Sequence, residues 1–262
     1  MGDQGDVSWV GLVLSLSLIV IAVGVSLRER LGLERDMVVS VVRSAAQLLL
    51  VALALQVVVD PGTPLFWSWL WVAGIVVFAA VTVRRRAPQL PGVLGIALVA
   101  NAVTAAVALG LTFGLGIFPV DGRTVVPVAG MVVGNSMKSC VVVVTALAGL
   151  MADRRPEIEA RLALGLPGID AARPLVRRAL RLAISPQIEN TKALGIVFLP
   201  GAMTGLILAG VDPLDAVLVQ LALMWIILGA VVVTTATTAI AGTRRLFTAD
   251  QRLLRLSRAG DD

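Results

Sequence analysis

Seven apolar runs, each near the roughly twenty residues that an α-helix needs to cross a bilayer, constrain this 262-residue chain more than any other feature. They occupy residues 9–27, 37–59, 65–83, 90–113, 125–151, 193–210 and 214–241. In hydrocarbon every backbone N–H and C=O must find a partner inside the protein, and for runs this long the helix is the solution. The composition agrees: 58% of residues are hydrophobic and only 15% are charged, where a soluble domain carries roughly a quarter. The expected fold is therefore all-α, a single polytopic membrane domain over 1–262 with seven transmembrane helices. Short connectors rich in Gly, Pro and Asp separate several runs, among them Asp60-Pro61-Gly62 and the stretch from Pro119 to Gly122. The first run follows Asp3 and Asp6 instead of a basic segment, so it is expected to be a retained helix and not a cleaved signal.

Charge asymmetry predicts the orientation. The connections on one side of the runs, together with the C-terminal tail, hold 19 of the 22 Lys and Arg residues. The opposite side has Arg123 alone, against Asp3, Asp6, Asp60, Asp121, Asp212 and Asp215. By the positive-inside rule the N-terminus is outside and the C-terminus cytoplasmic, in an inner, cytoplasmic membrane. Trp67, Trp69 and Trp71 read as interfacial anchors at the start of the third run.

Several chemistries find no footing. The net charge of +5 is spread over short connections, which fits topology and not nucleic acid. There is no histidine, which removes the commonest transition-metal ligand and every Ser/His or Cys/His catalytic arrangement. Cys140 is alone, so no disulfide framework is possible. No G-x-x-x-x-G-K-[ST] phosphate loop is present, so the chain is expected to bind no ATP or other cofactor of its own. It reads as a transport subunit and not an enzyme.

The one long connection is 152–191. It opens with a short helix through Glu159 that should stop at Gly165, and continues after Asp170 as a second helix with Pro174 in its first turn. That second helix sets Val176, Ala179, Leu180 and Ala183 on one stripe and Arg173, Arg177 and Arg181 on another. Such a basic amphipathic helix either lies on anionic lipid or docks a cytoplasmic partner. Glu159-Ala160-Arg161, with Gly165 four residues on, is similar to the E-A-A-x-x-x-G coupling loop of ABC transporter permeases, a degenerate match with Arg in the third place.

Polar groups inside the runs mark where function is expected. Arg43 and Gln47 share a face of the second run, and Arg43 is close enough to the cytoplasmic end to snorkel. Residues 127–140 concentrate Gly130, Gly134, Asn135, Ser136, Lys138 and Ser139 within an apolar span. Gly130 and Gly134 form a small-xxx-small pair suited to close helix packing. Lys138 lies near mid-membrane, where no run offers an Asp or Glu at its depth, so it must meet water, backbone carbonyls, a second subunit or an anionic substrate. Asn135, Lys138 and Ser139 are expected on one helix face. The sixth run contains Pro200, with Met203 and Thr204 beyond it, and a broken helix lining a cavity is expected there. Met131, Met137, Met203 and Glu189 are the candidate metal ligands, although methionine is usually an apolar filler.

These residues resemble the FetB-like ABC permeases, the bacterial iron exporters and the plant aluminium-tolerance permeases. The resemblance runs from Arg43-x-x-x-Gln47-Leu48 through Gly130-Met131-x-x-Gly134-Asn135-Ser136-Met137 and Pro186-x-Ile188-Glu189-Asn190-x-Lys192. It continues with Leu199-Pro200-Gly201-x-Met203-Thr204-Gly205 and Pro213-x-x-Ala216. The resemblance implies a permease homodimer in the bilayer, paired with a cytoplasmic ABC ATPase subunit that binds the ATP, and export of a metal ion such as iron. It also implies a neutral residue, such as asparagine or threonine, at position 138, so Lys138 departs from it. On this reading Asn135, Ser136, Met137, Lys138, Pro200, Met203 and Thr204 line the translocation path. Glu159, Gly165, Arg177, Arg181 and Glu189 couple to the ATPase. The alternative is an ATP-independent secondary transporter or channel for a small solute, anionic ones included.

Overall fold

The computed structural model describes residues 9–254 apart from 59, 61, 196–198 and 249. Asp3, Asp6, Pro61, Arg255 and Arg258, on which parts of the sequence reading rest, lie outside the described residues. The described chain is helical, and an isolated antiparallel bridge joins Phe247 to Leu253. It divides between Thr63 and Pro64 into two compact units.

The first unit holds α1 (Trp9–Glu29) and α2 (Glu34–Val58), each close to 30 Å or longer at 1.5 Å per residue. The tight link between them uses left-handed backbone at Arg30 and Gly32. Ser26, fully buried, closes it by donating to Glu34 Oε1 at 2.7 Å.

The second unit holds α3 (Phe66–Arg86), α4 (Val93–Gly114), α5 (Gly122–Asp153), α6 (Arg155–Ala163), α7 (Gly168–Ala193), α8 (Gly201–Leu208) and α9 (Pro213–Arg245). Helices α3, α4, α5 and α9 pack on one another, and α5 and α9 run the full depth of the bundle. Small residues let the helices approach closely. A Cβ placed on Gly242 of α9 would stand 3.3 Å from Leu147 of α5 and from Leu90, the residue leading into α4. The helix starts are set by side chains. Asp121 accepts from the Thr124 N–H at 2.8 Å in a capping box, and Asp212 accepts from the Leu214 N–H at 2.9 Å. Asp121→Ala should cost about 1 kcal/mol in thermal unfolding of the detergent-solubilised protein.

Five described helices, α2, α3, α4, α5 and α9, are long and apolar enough to cross a membrane. The sixth apolar run is not one helix. Among its described residues, α7 ends at Ala193 and a separate short helix covers Gly201–Leu208, spanning about 12 Å. Pro200 does not kink a helix, as a single span would require, but precedes α8 as its N-cap, its carbonyl accepting from the Thr204 N–H at 3.0 Å. Proline lacks the N–H that an interior position would need, while a first-turn boundary needs none.

Two large apolar clusters, with a small third around Met224, Ile227 and Val231, fill the second unit. One lies toward the acidic end around Val125, Ala129, Val132, Val133 and Leu109. The other lies toward the arginine-rich end, where α3 and α9 finish at Arg86 and Arg245. This second cluster joins Val143, Val144, Leu147 and Met151 of α5 to Ile158 of α6 and Ala171, Ala172, Leu175, Ala179 and Ala183 of α7. Leu246 and Leu253, beyond α9, complete it. The apolar stripe predicted for α7 is therefore real, but it is turned onto this bundle and not left for lipid. Pro174 falls inside α7, later than the first turn, because the helix begins at Gly168 and not after Asp170.

Candidate functional site

The helical turn from Asn135 to Lys138 distributes its side chains around α5 at 100° per residue, and this separates what the sequence grouped. Asn135 is half-buried and its Nδ2 donates to the Met131 carbonyl at 2.8 Å, so the amide is turned back on its own helix. Ser136 is fully buried, and its hydroxyl has no hydrogen-bond partner among the described residues. Met137 is half-buried and packs against both apolar clusters. Lys138 is exposed and makes no hydrogen bond or ion pair with any described residue. Ser139 is buried, on the flank away from Lys138, so the expected single face of Asn135, Lys138 and Ser139 does not form.

Lys138 belongs instead to a stripe with Pro127, Val142, Thr145 and Gly149, all exposed, with Gly130, Met131 and Gly134 half-buried between them. A Cβ added to Gly130, Gly134 or Gly149 would meet nothing within 4 Å. Among the described residues of the second unit the glycine pair thus meets no neighbouring helix, which differs from the expectation for a small-xxx-small motif. Lys138 stands sixteen residues into the 32-residue α5, about 24 Å along its axis. An ammonium left against lipid at that depth would cost about 2.5–3.5 kcal/mol on insertion scales.

The remaining path candidates sit elsewhere. Pro200 and Met203 are half-buried and Thr204 is exposed, its hydroxyl donating to the Pro200 carbonyl at 3.1 Å. Helix α8 packs along α9, and no hydrogen bond among the described residues joins it to α5. Met131 packs against Met224, Ile227 and Val231 as an apolar filler. No group of three His, Cys, Asp or Glu able to hold a metal ion occurs among the described residues. Glu189 is exposed and paired with Lys192 at 2.9 Å.

A second polar layer lies inside the bundle, between α4, α5 and α9. Thr104 and Thr234 share a hydrogen bond of 2.5 Å, and the Cys140 thiol meets the Thr238 hydroxyl at 3.3 Å, all four fully buried. Asn101, also fully buried, donates to the Ala97 carbonyl at 2.8 Å, and its Oδ1 has no partner among the described residues. Four threonines within 234–238 were the sequence signal for this layer, and the sequence reading passed over it.

At the arginine-rich end the coupling candidates gather. Gly165 ends α6 with φ +87°, and the Gly165 and Leu166 N–H groups close the turn on Leu162 and Arg161 carbonyls. Glu159 is paired with Arg155 at 2.7 Å, and Arg177 and Arg181 are exposed on α7. The C-terminal segment folds back onto this loop. Gln251, in left-handed backbone, accepts from the Gly168 N–H at 2.7 Å. Arg155 donates to the carbonyls of Leu253 and Leu254 at 3.1 and 3.3 Å. Phe247 covers Gly168 so closely that a Cβ there would come within 2.6 Å of its ring. Between the two segments lies a cleft of about 740 Å³ lined by Glu159, Gly165, Leu166, Asp250 and Arg252 among others. The tip of the loop exposes Leu164 (82%), Leu166 and Ile169. Sequence reasoning found Glu159 and Gly165 but not Arg155, Gly168, Phe247 and Gln251, which meet one another or Leu253 and Leu254 across 79 to 99 positions.

Comparison with known proteins places these features in a family. No solved structure matches the chain. The UPF0014 membrane protein STAR2 of Oryza sativa subsp. japonica is 36% identical over 218 residues, covering 83% of this chain and 76% of that protein. The UPF0014 membrane protein YjkA of Bacillus subtilis is 31% identical over 245 residues, 94% of this chain and 98% of the relative. The Probable iron export permease protein FetB of Escherichia coli is 29% identical over 245 residues, 93% of each. With residues 9–247 matching the profile of the Uncharacterised protein family (UPF0014), the chain belongs to that family of multi-pass membrane proteins.

Proposed function

We propose that this chain is the permease subunit of an ABC-type exporter, a homodimer in the cytoplasmic membrane energised by a separate cytoplasmic ATPase subunit. One observation carries the reading: the two helices of the 152–191 loop share a single buried core with the transmembrane helices α5 and α9. Interiors packed at this density move as blocks, so a push on α6 and α7 displaces α5 and not merely the loop. The exposed apolar tip at Leu164, Leu166 and Ile169, beside the cleft, suits insertion into a groove of the ATPase. Seven crossings, with the N-terminus outside and the tail cytoplasmic, complete the proposal. The sixth crossing then includes the short α8, which starts after Pro200, the broken form that lines cavities in transporters. The cargo is a metal ion of the iron kind, by analogy with the name of the E. coli relative.

The test is co-purification with an ATPase encoded beside this chain, and its turnover after reconstitution of the pair. Stimulation of ATP hydrolysis by the permease is expected, with Arg177 and Arg181 to Glu substitutions weakening the complex. Gradient-driven transport by vesicles holding this chain alone would instead support the secondary-transporter reading.

A further inference from the structure

We infer that the exposed stripe of α5 around Lys138 lines an aqueous path whose cargo crosses as a small anion bearing carboxylate or phosphate oxygens, an anionic metal chelate included. The inference names the charge class of the cargo for the permease proposed above and rests on that reading only for the second wall of the path. Lys138 stands half-way along α5, exposed and without a partner among the described residues. No apolar run of the sequence supplies a carboxylate at its depth, so no other helix of this chain can neutralise it. The ion pairs of Arg154, Arg155, Arg161, Arg173 and Lys192 are each made within the 152–191 connection and leave Lys138 aside. An ammonium at mid-membrane is stable against water or an anion, not against acyl chains. On the same stripe Gly130, Gly134 and Gly149 leave the surface beside it open. Positive side chains without carboxylates are the lining that pores use to admit anions and repel bare cations. An exported metal ion would therefore cross as a negatively charged complex. Two copies of the chain would place two ammonium groups on the path.

Thiol labelling tests this directly. In full-length protein in proteoliposomes, with Cys140→Ser as background, Val142→Cys places a thiol one turn beyond Lys138 on the stripe; Thr145→Cys serves if that variant fails to fold. Anionic sulfonatoethyl methanethiosulfonate should react at least tenfold faster than its cationic trimethylammonioethyl counterpart. Lys138→Met should erase that preference and Lys138→Arg should keep it. Citrate, ferric citrate and inorganic phosphate are then added as protecting probes. Protection by citrate marks a carboxylate, by ferric citrate alone a metal chelate, and by phosphate a phosphate-bearing cargo. Absence of labelling from water, a preference that survives Lys138→Met, or protection by none of the three overturns the inference. No ATPase takes part, so such a failure is distinct from failure of the permease reading.

Discussion

Gly168→Val should break the attachment of the C-terminal segment to the loop, lowering stability by about 1–3 kcal/mol, the usual cost of overpacking. The Cβ alone would stand 2.6 Å and 2.7 Å from the Phe247 ring and 3.0 Å from Gln251 Oε1. The ring cannot retreat inward, because Phe247 packs on the arginine-rich cluster and its neighbour Leu246 is fully buried. The displaced segment also gives up the Gln251 bond to the Gly168 N–H and the two carbonyl bonds from Arg155. Thermal unfolding in detergent measures the loss. Phe247→Ala clears the space, so the double variant should be more stable than the sum of the two singles, with a coupling of about 0.5–3 kcal/mol. Strict additivity would mean that the contact carries no energy. Under the proposed mechanism, Gly168→Val should also reduce ATPase stimulation at saturating partner, since the loop would lose its hold on the segment that follows α9 and keep only its packing on α5 and α9.

Leu147→Ala should destabilise the protein by about 2–5 kcal/mol and loosen helices that the residue does not belong to. Leu147 is fully buried on α5, and its Cδ2 is within 3.3 Å of where a Cβ on Gly242 of α9 would sit. It shares one cluster with Ile158 of α6 and with Ala171 and Leu175 of α7. A cavity there removes contacts from a core that extends beyond the spans into the loop. Amide hydrogen exchange should consequently accelerate in 155–163 and 168–183 as well as in α5. Exchange that rises in α5 alone would show that the loop helices are independent of the transmembrane bundle. The mechanism would then lose its lever.

What the sequence made legible, and what it did not, follows from the range of the interactions. The apolar runs became helices because a bilayer-length run leaves the backbone little choice, and the short helix through Glu159 ended at Gly165 because φ +87° favours glycine there. The family could be read from motifs such as Gly130-Met131-x-x-Gly134-Asn135-Ser136-Met137, and residues 9–247 match it. Face assignments were less secure. Ser139 and Lys138 are one residue apart, and a 100° step was enough to bury one and expose the other. The glycine pair was read for packing because its spacing allows it, yet spacing says nothing about whether a neighbour is present. The sixth run looked like a span by hydropathy, but Pro200 is better placed as a helix start than inside a helix. The fold-back of Phe247 and Gln251 onto Gly168 had no local signature, since it depends on where α9 delivers the chain.

The central claim is that ATP-driven movement enters the bundle through the clamped loop. The direct measurement is ATP turnover by the neighbouring ATPase in liposomes, with the wild-type chain, with Gly168→Val, and with no permease. The account predicts stimulation by the wild type and, with Gly168→Val, retained binding but stimulation reduced severalfold. Turnover that is the same with and without the permease would contradict it.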